Sequence, residues 1–97
     1  MSAYMIAALN IEDAEGYSKY VAEAVETLKK FGAEPLALSY EPLVLEGDYP
    51  LDLFVLVKFR DLEHLQSWYN SPEYVEARQV RFRTAKTSYL MAVEGMS

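Results

Sequence analysis

The stretch SWYNSPEYVEARQVRFR, residues 67–83, gathers one Trp, two Tyr and three Arg into seventeen positions. These residue types suit recognition of a small organic molecule. Indole and phenol rings offer flat apolar walls with a polar tip, and a guanidinium forks onto a carboxylate or phosphate. Trp68 and Tyr74 are the candidate walls of such a site, and Arg78 and Arg81 its candidate anchors. The two arginines stand three apart, which puts them on one face of a helix. With Arg83 and Lys86 they place +4 within residues 78–86, leaving −10 for the rest of a chain whose net charge is −6. Each group also has a plain structural use. Trp68 and Tyr69 follow Leu62 and Leu65 at helical spacing and can pack a helix onto a core. Arg78, Arg83 and Lys86 suit a solvated face. Arg81 either holds a carboxylate of the protein or receives the anionic end of a ligand.

Two groups are candidates for moving a proton. His64 is the one histidine of the chain. In the first turn of a helix the dipole disfavours its charged form, leaving a neutral imidazole that can act as a base. Tyr17, near the open end of the first helix, can approach the same cleft. A lone histidine excludes a two-imidazole metal site within one chain, and the absence of cysteine excludes disulfides and thiolate chemistry. No metal or cofactor is expected. The carboxylates of EDAE, residues 12–15, are accounted for by helix capping and the helix dipole. There is no HExxH, no GxGxxG, no phosphate-cradling glycine loop and no GxSxG nucleophile turn.

The elements that must hold these groups alternate in hydrophobic period. YMIAALN, residues 4–10, is apolar on both sides and reads as a buried strand. Asp13 caps a long helix whose apolar stripe runs through Tyr17, Tyr20, Val21, Ala24, Val25, Leu28 and Phe31, and Gly32 ends it. EPLALSYEPLVLEG is extended, its two prolines keeping it near a sheet edge. In LDLFVLVKF, Leu53, Val55, Val57 and Phe59 face one way and Phe54, Leu56 and Lys58 the other. Asp61 caps a short helix through Tyr69. Ser71 and Pro72 restart a helix that runs to about Ala85, and SYLMAVE, residues 88–94, closes the chain as a strand. The order predicts one α+β domain over residues 1–97, a four-stranded antiparallel sheet with both helical units on one face. Helices then bury only one side, although the strands are apolar on both. The economical cover for the second side is another copy of the chain, so a homodimer is expected.

Net acidity argues against nucleic-acid or anionic-membrane partners. The opening MSAYMIAALN lacks the basic start and cleavage pattern of a signal peptide. No apolar run approaches the roughly 20 residues that span a bilayer. A cytoplasmic location is expected.

LEGD (45–48), the apolar strand ending in Phe59, SWYNSPEY (67–74), Arg78, Arg81 and VEG (93–95) fall together in an order that resembles the domain of unknown function 1330 family. The resemblance covers nearly the whole chain, with WY-x-SPEY its most specific element. It implies a ferredoxin-like βαββαβ fold of the dimeric α+β barrel form, and it draws attention to Arg81. This chain departs from the family pattern at Gly32-Ala33, at Leu38 in place of an arginine, and at Lys58-Phe59-Arg60 in place of Glu-Phe-Pro. Fold analogy implies a cleft for a small organic ligand between helices and sheet. A cofactor-independent isomerase or oxygenase, or a non-catalytic dimeric module, are the alternatives.

Overall fold

The computed structural model describes residues 1–96. Seven elements follow in the order β1 (Ala3–Ile11), α1 (Ala14–Lys30), β2 (Glu34–Ser39), β3 (Leu53–Phe59), α2 (Leu62–Tyr69), α3 (Pro72–Thr84) and β4 (Ala85–Glu94). The sheet order is β2-β3-β1-β4, with every neighbouring pair antiparallel. The ferredoxin-like order expected from the sequence is therefore present.

Local chemistry explains the helix boundaries. Asp13, Asp61 and Ser71 each accept a hydrogen bond from a first-turn amide, of Gly16, His64 and Tyr74 respectively. Pro72 occupies the first turn of α3, where a missing N–H is tolerated. Gly32 ends α1 at φ 67°, in the left-handed region that glycine enters at low cost.

One boundary differs from expectation. β4 begins at Ala85, directly after α3, and not at Ser88. The Thr84 carbonyl accepts from both Glu12 and Asp13 amides, and Ala85 pairs with Ile11. These long-range bonds convert residues with no strand pattern into strand. Ser88 is taken up by an irregularity opposite Ala8 and Leu9, which restores the register beyond it.

Along β1 and β3 the alternation is as the sequence implies. Met5, Ala7, Leu9, Leu53, Val57 and Phe59 are buried beneath the helices. The opposite face carries three cross-strand rows: Phe54–Ala8–Tyr89, Leu56–Ile6–Met91 and Lys58–Tyr4–Val93. The helices do not cover it: Ile6, Phe54 and Leu56 are half-buried, Tyr89, Met91 and Val93 are exposed, and Ala8 is buried. The Cα envelope, 32 × 31 × 16 Å, has the thickness of one sheet and one helical layer. No described helix is long and apolar enough to cross a membrane.

Candidate functional site

The buried stripe of α3 consists of Tyr74, Ala77, Arg81 and Thr84, stepping by three and four residues. That stripe places a charged residue in the core. α1 packs against α3, and a gap is left between α1 and the sheet, lined by residues of all four strands. The gap is a cavity of about 100 Å³. Val21, Val25 and Leu28 of α1 form one wall, and Leu38, Val55 and Val57 of the sheet form the other. Tyr17, Tyr20, Trp68 and Arg81 also line it, and Arg81 is the one charged residue among those lining it.

Arg81 is 2 % exposed. One terminal nitrogen donates to Thr87 Oγ1 at 2.8 Å, and its Nε has no partner among the described residues. The three ion pairs formed by described residues, Lys29–Glu26, Lys30–Glu73 and Arg60–Asp61, do not involve it. Its guanidinium carbon lies 4.9 Å from the Phe82 ring centroid. A buried cation without a carboxylate is costly, and here it borders an empty apolar space.

The tyrosines beside it are held neutral. Burial, chiefly, together with the neighbouring Tyr40 and Tyr74, pushes the Tyr17 phenol up to about 12, against a smaller opposing pull from Arg81. Burial also raises Tyr20 and Tyr74, whose hydroxyls lie 2.7 Å apart in a hydrogen bond. Two neutral phenols, Tyr17 and Tyr20, and one cation, Arg81, are therefore among the residues lining the cavity. The cavity presents no carboxylate or imidazole that could serve as a base at neutral pH.

The sequence candidates separate in space. Trp68 and Arg81 line the cavity, and so does Tyr17. Tyr74 is fully buried behind Trp68, the two rings 4.0 Å apart at 32°, and it reaches the cavity only through the Tyr20 hydroxyl. Arg78 does not turn the same way as Arg81. It sits 4.3 Å over the Tyr69 ring and donates to the Tyr69 carbonyl at 3.2 Å. The residue immediately after Ala77 falls on the flank of the stripe, toward α2, so three-residue spacing alone does not unite the two arginines. His64 lies at the other end of α1, with Nε2 2.6 Å from the Phe31 carbonyl and Nδ1 3.3 Å from Arg60. Donation from Nε2 to Phe31 leaves Nδ1 as acceptor from Arg60. Arg83 and Lys86 are exposed. Among the described residues no cluster of three His, Asp or Glu could hold a metal ion.

Two contributors were not singled out from sequence. Thr27, buried on α1, accepts the Trp68 indole N–H at 3.0 Å and fixes that ring against the cavity. Its place in the helical stripe, one residue before Leu28, was the available signal. Val21, on the stripe but only half-buried, borders open space.

An antiparallel four-stranded sheet with helices on one face and a cleft between the layers defines a ferredoxin-like α+β protein. More narrowly, the chain belongs to the family described as domain of unknown function DUF1330, whose model matches residues 2–96. No curated protein matches it in sequence. Among solved structures it resembles a protein of unknown function from Rhodopseudomonas palustris, with TM-score 0.79 and 16% identity over 99% of this chain and 83% of that one. It also resembles a dimeric protein of unknown function with a ferredoxin-like fold from Bacteroides fragilis (TM-score 0.62, 14% identity, 97% and 96% of the two chains). A third likeness is to SnoaB, a cofactor-independent oxygenase from Streptomyces nogalater (TM-score 0.68, 7% identity, 99% and 94%). At such identities the likeness is one of fold.

Proposed function

We propose that this chain is a homodimeric binding protein for a small organic acid, held in the cavity between α1 and the sheet. One observation carries the reading: Arg81 is a buried cation with an unpartnered Nε, and it lines an apolar cavity. An anionic group placed there would supply the missing countercharge in a low-dielectric setting, where a charge-assisted hydrogen bond is strong. Trp68 and the aliphatic walls would hold the apolar body. Tyr17 and Tyr20, neutral over the physiological range, would donate hydroxyl hydrogen bonds to the same head group.

Binding is favoured over catalysis by proton abstraction because the lining residues include no base. The uncovered apolar sheet face supports pairing with a second copy about a two-fold axis. The dimeric Bacteroides fragilis protein of the same fold points the same way.

The binding test is a thermal-shift screen of small organic acids and matched neutral amides, with Arg81→Gln alongside. A ligand that binds only the folded state raises the midpoint in a dose-dependent manner. Acids should do so and their amides should not, and the effect should vanish in the variant. Equal shifts in wild type and variant would overturn the anchoring role. No shift by any acid would leave the non-catalytic dimeric module as the better reading.

A further inference from the structure

A second cavity, of about 270 Å³, opens at the N-terminal end of α1. Ile11, Ala14, Ser18 and Tyr40 contribute to its lining, and so do Tyr17 and Val21. Those last two also line the inner cavity that holds Arg81. The two spaces therefore adjoin at these two side chains. Tyr40, just beyond the end of β2, forms the outer boundary, and it lies near enough to Tyr17 to help raise that phenol. The inner space alone, about 100 Å³, is well under the roughly 300–1,000 Å³ of typical small-molecule sites. Joined to the outer one it reaches the lower end of that range.

We infer that the two cavities are compartments of one binding site, and that its ligand is an amphiphilic monocarboxylic acid longer than the inner cavity. The carboxylate sits on Arg81, the apolar body passes the waist at Tyr17 and Val21, and the distal end lies against Tyr40 and Ile11. Val21 sets how far the chain extends, and Tyr40 recognises its far end. This inference rests on the acid-binding reading above. It adds the length and shape of the ligand.

The test uses full-length protein and straight-chain monocarboxylates from butanoate to decanoate, titrated calorimetrically below their micelle concentrations. Each methylene withdrawn from water is worth about a fourfold gain in affinity. In wild type the gain should continue into the longer acids. Val21→Leu should narrow the waist and stop the gain at short chains, whereas Val21→Ala should preserve it. Tyr40→Ala, at an exposed position, should weaken decanoate about four- to tenfold and leave butanoate unchanged. A gain that stops at the short acids in wild type, with no response to Tyr40→Ala or Val21→Leu, would overturn the two-compartment site. If Arg81→Gln still abolished binding in that case, the anion site itself would stand. Failure of every acid to bind would remove both proposals.

Discussion

Replacing Arg81 with methionine should make the ligand-free protein more stable and unable to bind acids. The argument starts from what Arg81 does in the folded chain. Its guanidinium makes one side-chain hydrogen bond, to Thr87, and meets no carboxylate. Losing a hydrogen bond to a charged group costs about 1.5–3 kcal/mol, and Thr87 is only half-buried, so its hydroxyl can turn to water. Against that stands the penalty for a buried, uncompensated cation, which amounts to several kcal/mol. Methionine keeps an unbranched apolar stem of similar reach, so the packing of the stem is largely retained. The balance is a stabilisation of about 1–3 kcal/mol, or roughly 5 °C or more in midpoint for a domain of this size. Urea denaturation of wild type and Arg81→Met, without ligand and then with an acid, measures both halves. A variant less stable than wild type by 1 kcal/mol or more would show that Arg81 is a structural residue. The reasoning from an unpaired charge would then fail.

Three further outcomes are expected. Tyr20→Phe and Tyr74→Phe should each cost about 1–3 kcal/mol, because each strands a buried hydroxyl, while the double variant costs less than the sum by about 1 kcal/mol; strict additivity in denaturant titrations would contradict the 2.7 Å bond. The folded state holds the Tyr17 proton more tightly than the unfolded chain, so this source of stability is full below about pH 10 and is lost as the pH rises through about 12. Its size is about 2–3 kcal/mol, and Tyr17→Phe should flatten the alkaline limb of the stability profile by that amount; an unchanged limb would show that Tyr17 is not buried as described. Ile6→Glu, at the centre of the uncovered face between Leu56 and Met91, should convert a dimer into a monomer in light scattering. A monomeric wild type, or an unaffected variant, would refute pairing through this face.

The elements were legible where the cause was local. Asp13, Asp61, Ser71, Pro72 and Gly32 act through bonds and dihedrals within a few residues, and each marks the boundary its chemistry implies. The start of β4 was not legible, because Ala85 becomes strand only through its pairing with Ile11 and the closure of Thr84 onto residues 12–13. The two faces of β1 and β3 could be read from period-two alternation, including the face that the helices leave bare.

The candidate site was legible in its residue types and not in its grouping. Arg78 and Arg81 look equivalent along the chain, yet the buried stripe of α3 admits Arg81 and turns Arg78 over Tyr69. Tyr17 and His64 both begin helices as plausible proton carriers, but His64 is spent on the Phe31 carbonyl while Tyr17 faces the cavity. The cavity has no sequence signature at all. It exists because α1 docks on α3 and leaves part of the sheet beneath it unfilled. Under the acid-binding proposal, the countercharge that Arg81 lacks is the charge its ligand would bring.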